Sequence, residues 1–164
     1  MAGRITKSED QLRPDPRYSN ITLSKFINCI MHDGKKAVAT RVVYDALDLI
    51  QGRLDKDKAD ELPENALGVF LKAIENVKPG VEVRSKRVGG ANYQVPMPVK
   101  SRRQLSLAFR WIITAAREDS GKPMARRLAK ELYEACQGEG KAMLTRENTH
   151  RMAEANKAFA HFAW

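Results

Sequence analysis

Apolar and polar residues follow two different periods along this chain. From Asn20 the apolar positions Leu23, Phe26, Ile27, Ile30 and Met31 recur every three or four residues, which predicts a helix capped by Asn20 and ending at Gly34. A second helix is expected from Lys36 to Gln51, with Val38, Val42, Ala46, Leu49 and Ile50 on one face, Val43 and Leu47 widening it, and Gly52 stopping it. The charged stretch Arg53 to Glu64 reads as a surface loop. A third helix, with Pro63 in its first turn, carries Ala66, Leu67, Phe70, Leu71, Ile74 and Val77 and ends before Pro79-Gly80.

Between Val81 and Val99 the period drops to two: Val81 and Val83 alternate on one side of Gly89-Gly90, and Tyr93, Val95 and Met97 on the other. This is a hairpin pattern. A two-residue Gly-Gly loop would set Val83 against Pro96 and split the apolar set between faces. A three-residue turn, Val88-Gly89-Gly90, is therefore expected, pairing Val83 with Val95, Val81 with Met97 and Ser85 with Tyr93, and leaving Arg84, Lys86 and Gln94 on the opposite side. Pro96 and Pro98 withhold backbone donors, which suits a ribbon with free edges.

Helical spacing returns after Lys100, with Leu105, Phe109, Ile112 and Ala116 inward. Arg103, Arg110 and Arg117 stand seven residues apart, and because a helix drifts only about 20° per heptad they form one stripe. A fifth helix is expected after Asp119-Ser120-Gly121, capped by Ser120, with Pro123 in its first turn. Met124, Leu128, Leu132 and Ala135 would be buried, Arg126, Arg127 and Lys130 exposed, and Gly138 and Gly140 would end it. The last helix begins near Ala142 and carries Met152, Ala155, Phe159 and Phe162. The expected fold is mainly α: a single six-helix domain, 20–164, with a protruding two-stranded β-hairpin arm at 81–99, preceded by a flexible N-terminal arm, 1–19.

Charge adds a location to this picture. The chain of 164 residues carries 29 Lys and Arg against 20 Asp and Glu, a net +9. From Lys78 to Lys130 there are 13 basic and 3 acidic residues, so this stretch alone accounts for the whole excess. A localised positive field of that kind selects a polyanion. Chemistry for catalysis is absent from the pattern: the glycines of GVEVRSKRVGG flank a ribbon instead of opening a helix, no serine has a nucleophile-elbow context, and the carboxylates are scattered. An enzyme is not expected. Cys29 and Cys136 lie in apolar helical patterns and are expected as two buried free thiols, with no disulfide-linked partner. Cys29 and His32 lack a second pair of ligands, as do His150 and His161, so neither a metal nor another cofactor is expected. No apolar run reaches about 20 residues, which argues against a membrane span, and the expected setting is cytoplasmic. Tyr93 is placed either to stack on a base or to pack against Val81 or Ser85, Trp111 reads as core, and Trp164 either docks on the body or touches a partner. Two readings stand on the residues alone: a structural RNA-binding protein, or a DNA-bending architectural protein with a β-ribbon arm.

Three separated stretches then narrow the choice. FINCIMHDGKKAVATRVVYDAL, Phe26 to Leu47, resembles the signature region of small-subunit ribosomal protein seven of the bacterial type. VEVRSKRVGGANYQVPMPV resembles that family's hairpin, and HRMAEANKAFAHFAW, His150 to Trp164, its C-terminal helix. The likeness runs from Pro14 onward. It departs from the family at the N-terminus, where MAGRITKSEDQLRP holds two acidic residues in place of a dense basic cluster, and in a longer, more acidic loop at 53–64. The resemblance implies a structural constituent of the small ribosomal subunit and a primary binder of the 3′ major domain of 16S rRNA that nucleates assembly of the subunit head. It also implies a place near the exit-site tRNA and the mRNA path, and beside small-subunit ribosomal protein eleven and other head proteins. Some members also repress their own messenger. Carried over by position, Lys35, Lys36, Arg84, Lys86, Arg87, Lys100, Arg102, Arg103 and Arg110 would contact rRNA, with Lys25 and Arg4 as weaker assignments. Val88, Gly89, Gly90 and Trp164 would lie near the tRNA.

Overall fold

The computed structural model describes residues 12–57 and 62–162. Among them run six α-helices, one hairpin and a closing 3-10 helix: α1 (Ile21–Ile30), α2 (Lys36–Asp57), α3 (Ala66–Val77), β1 (Val81–Val88), β2 (Ala91–Pro98), α4 (Ser101–Glu118), α5 (Met124–Cys136), α6 (Lys141–Ala155) and η1 (Lys157–Phe162). The mainly helical architecture with one β-hairpin is as the periodicity predicts. Asn20 caps α1 as expected, its Oδ1 accepting the Leu23 N–H at 3.0 Å.

The core forms where α1, α3 and α4 meet. Phe26 sits between Phe70 and Phe109, both edge-on, with ring centroids 5.2 and 5.3 Å away. Helix α5 packs across α2, α3 and α4 and closes that centre with Leu128, Leu132 and Ala135. Asn76 of α3 ties the end of α5 down by donating to the Ala135 and Cys136 carbonyls at 2.9 and 3.0 Å. The segment before α1 is docked as well. Asp15 is buried, accepts the backbone N–H groups of Arg17 and Tyr18 and receives the Tyr44 hydroxyl at 2.8 Å, while Arg17 forks onto Asp48 of α2. The expected arm at 1–19 thus has its last residues fixed to the body, and residues 1–11 lie outside the described residues.

Several sequence expectations fail for identifiable reasons. Helix α2 passes through Gly52 to Asp57. A glycine stops a helix by taking a left-handed conformation, and Gly52 does not adopt one; Leu54 beyond it packs against the core, which offsets the roughly 1 kcal/mol that glycine costs in a helix. The inward face of α2 is Ala39, Val43, Ala46, Leu47 and Ile50, so Val38 and Leu49 are exposed at 60% and 40%. Pro63 precedes α3 instead of entering it, and Leu71 faces outward. Ser120 does not cap α5: Pro123 stands at the N-cap, just before the helix, and its carbonyl receives the Arg126 and Arg127 N–H groups. Helix α6 ends at Ala155, with Met152 exposed, so Phe159 and Phe162 are carried by η1. Cys136 is buried, but Cys29 is exposed; both are free thiols.

The hairpin differs most. Its register pairs Val83 with Pro96, Arg84 with Val95 and Lys86 with Tyr93, the two-residue Gly-Gly turn and not the three-residue one. Gly89 and Gly90 both have positive φ, 58° and 89°, the requirement of the tight turn whose twist matches the strands. That turn geometry outweighs apolar matching across the strands. Consequently Arg84 and Lys86 share the face of Tyr93, Val95 and Met97, while Gln94 lies opposite them. The face that Arg84 and Lys86 share is the covered one, carrying the buried Glu82 and Val95, and long basic side chains shield apolar neighbours there with their methylenes.

Candidate nucleic-acid interface

The ribbon and α4 meet at one buried carboxylate. Glu82 is 8% exposed and receives two arginines: Arg84 Nε and Nη2 reach Oε1 at 2.7 and 2.6 Å, and Arg103 Nε and Nη2 reach Oε2, both at 3.1 Å. Both guanidinium-bearing side chains remain nearly half exposed, at 45% and 43%. The Val99 N–H donates to the Gly80 carbonyl at 3.1 Å and closes the ribbon's base, and Lys100, exposed, forms the N-cap position of α4. Period-two reading of β1 hides Glu82, since it marks an outward polar position. The signal that could have found it is that Glu82 is the one acid from Lys78 to Arg117, a span with nine bases.

Further along α4 the stripe of arginines divides. Arg110 is exposed on the outer surface, whereas Arg117 donates to the Ile30 carbonyl at 3.2 Å and satisfies the end of α1. Arg127, expected outside, instead donates to the carbonyls of Arg117 and Asp119 and closes the end of α4. From Arg103 to Arg117 the stripe spans about 21 Å at 1.5 Å per residue. At its far end Lys35, His32 and Arg117 line one small hollow, so the α1–α2 turn joins the same ridge. That turn uses left-handed backbone at Asp33 and Gly34 and leaves Lys35 and Lys36 exposed, with Asp33 3.9 Å from Lys35 Nζ. On the flank, Lys25 of α1 and Arg102 of α4 line a cavity of about 310 Å³ with Cys29, Asn28 and Leu105.

The outer ribbon is bound to the C-terminal segment. Lys86 Nζ donates to the Phe162 carbonyl at 2.9 Å, and Tyr93 rests on Phe159 and Phe162 with centroids 5.1 and 5.3 Å away. Tyr93 therefore packs on η1, not on Val81 or Ser85. Beyond the Lys86–Tyr93 pair Gly89, Gly90 and Ala91 are exposed at the tip, with Val88 half-buried, and Arg87 is exposed on the opposite ribbon face from Arg84. Trp164 and Arg4 lie outside the described residues.

The titratable groups off this ridge are structural. Desolvation by neighbouring atoms pushes both thiols up, the surface Cys29 as well as the buried Cys136, which keeps them protonated and weakly nucleophilic. Burial also raises the Glu131 carboxyl, against the Ala142 N–H that it accepts at 2.7 Å while capping α6. Burial lowers His150, helped by Arg146, consistent with a neutral ring whose Nε2 accepts the Gly80 N–H at 3.2 Å. Among the described residues no cluster of three or more His, Cys, Asp or Glu could hold a metal ion, and no helix is long and apolar enough to cross a membrane.

Known proteins resemble this chain over nearly its full length. Small ribosomal subunit protein uS7 of Rhodopirellula baltica is 58% identical over 162 residues, covering 99% of both chains. The uS7 protein of Acidovorax sp. strain JS42 is 58% identical over 153 residues, 93% of this chain and 92% of its own. That of Methylocella silvestris is 50% identical over 164 residues, the whole of each. The family model for ribosomal protein S7p/S5e matches residues 2–157, and the chain belongs to that family.

Proposed function

We propose that this chain binds the 3′ major domain of 16S rRNA and thereby nucleates assembly of the head of the small subunit. Membership of the family makes it a structural, non-enzymatic protein of the small ribosomal subunit. The observation that supports the finer reading is the continuity of the basic ridge. Arg84 and Arg103 are fixed together at Glu82, Lys100, Arg102 and Arg110 follow along α4, and Lys35 and Lys36 stand at its far end. Such a ridge recognises the backbone of a folded RNA by shape, since its cations neutralise phosphates and arginine forks onto them. The body would hold one RNA helix while the ribbon crosses to another. The turn at Val88, Gly89 and Gly90, with both glycines exposed, is left together with Arg87 to approach the exit-site tRNA and the mRNA path. The helical surfaces away from the ridge are left for protein eleven and other head proteins.

Filter binding to labelled 3′ major-domain RNA, competed with duplex DNA and with an unrelated structured RNA of equal length, tests this. Only the cognate RNA should compete well. With roughly six to ten phosphates engaged, affinity should fall about 10³ to 10⁵-fold between about 50 and 200 mM salt. Equal competition by all three, or a shallow salt slope, would remove the reading, and preference for duplex DNA would favour the DNA-bending alternative.

A further inference from the structure

We infer that Glu82, an acid within the basic stretch, strengthens RNA binding by positioning Arg84 and Arg103 as a single two-pronged phosphate clamp. The inference rests on the RNA-binding reading above. Left to simple charge counting, a carboxylate among cations should weaken attraction to a polyanion and compete with phosphate for both guanidinium groups. The geometry argues the other way. Each arginine meets Glu82 side-on, through Nε and Nη2, at 2.6 to 3.1 Å. A guanidinium has five N–H bonds, and side-on engagement uses about two of them, so that roughly three per arginine, including both on Nη1, stay available to a second acceptor. Glu82 is buried while the two arginine side chains remain nearly half exposed, so the carboxylate occupies their inner edges and leaves their outer parts to solvent.

One prong comes from the ribbon and the other from α4. The carboxylate therefore fixes the relative position of two elements as well as two side chains, and the triad keeps a net positive charge. Long basic side chains lose rotamer freedom when they bind, each at a cost comparable to several-fold in affinity, and here that ordering is complete before RNA arrives. Glu82 is a positioning residue; Arg84 and Arg103 are the groups that would touch phosphate.

The test is Glu82→Gln in the full chain, measured against labelled 3′ major-domain RNA at fixed salt. The variant gains one unit of positive charge, so charge counting predicts tighter binding, whereas positioning predicts binding weaker by roughly tenfold. A second variant, Arg84→Lys, keeps the charge but lacks the fork, and should lose a similar factor with the hairpin register unchanged. In the free wild-type protein the Arg84 and Arg103 Nε protons should exchange slowly with water, and quickly in Glu82→Gln. Wild-type or tighter binding by both variants would overturn the positioning role while leaving RNA recognition intact. A wild-type chain that fails to prefer the cognate RNA would remove the RNA reading itself.

Discussion

Three arginines at one helical spacing perform three different tasks, and their separation is a matter of what each guanidinium reaches. Arg103 is held by Glu82, Arg110 is exposed on the outer surface of α4, and Arg117 satisfies the Ile30 carbonyl. Sequence spacing makes them equivalent because it reports direction around the helix and nothing about partners on other elements. Their substitutions should therefore separate. Arg110→Ala should leave thermal stability within about 0.5 kcal/mol and reduce the slope of log affinity against log salt by about one. Arg117→Ala should cost about 1 kcal/mol of stability by leaving a helix-end carbonyl without its donor. Chemical denaturation of both variants, paired with RNA titrations at several salt concentrations, checks this. Equal stability losses at the two positions would show that the Ile30 contact contributes nothing.

At the scale of elements, the ends of helices were harder to read than their apolar faces. Buried positions of α1, α4 and α5 follow from their 3.6-residue period, because the core they enter lies on one side of each helix. The entry to α3 shows why its end does not follow. Asn65 stands at the N-cap but its side chain makes no cap hydrogen bond; the Ala66 N–H goes instead to Gln51 Oε1 of α2, at 3.0 Å. Pro63 closes over the first turn so tightly that a Cβ on Gly68 would lie 2.7 Å from the proline Cβ. Local composition gives Pro63 a place inside the helix, whereas the small residue in the first turn of α3 lets it sit outside and above it. Gly68→Ala accordingly sets about 1 kcal/mol of helix propensity against about 1–3 kcal/mol of overpacking on a rigid ring. The melting temperature should fall, and Pro63→Ala in the same chain should recover part of the loss. A rise in the melting temperature of Gly68→Ala alone would mean that the loop yields freely.

On the scale of the whole molecule, the ribbon is an arm only at its tip. It is joined to the body at its base by Arg103 on Glu82 and His150 on Gly80, and further out by Lys86 on Phe162 and the Tyr93–Phe159–Phe162 rings. The partners in these ties are up to 76 residues apart, which is why period and charge locate the hairpin yet not its docking; its register and faces follow instead from the local Gly89-Gly90 turn, which apolar matching alone misassigns. The His150 tie makes the arm's attachment sensitive to pH in a defined direction. Burial, with Arg146 nearby, holds the imidazole below its ordinary value, and only the neutral ring can accept the Gly80 N–H at Nε2. Above about pH 6.5 the folded and unfolded chains both keep it neutral and the tie is complete. As pH falls below that value the unfolded chain takes the proton first, so stability from this group declines until the folded ring is protonated as well. Amide hydrogen exchange at Gly80, corrected for its intrinsic pH dependence, should therefore lose protection as the pH falls below about 6.5. Protection at core amides of α3 should change much less over the same range. His150→Gln can keep an acceptor without a titrating ring, and should flatten the profile at Gly80. If wild-type protection at Gly80 stays constant across that range, His150 is only a packing residue, and the ribbon's base is held by Glu82 and the Val99–Gly80 hydrogen bond alone.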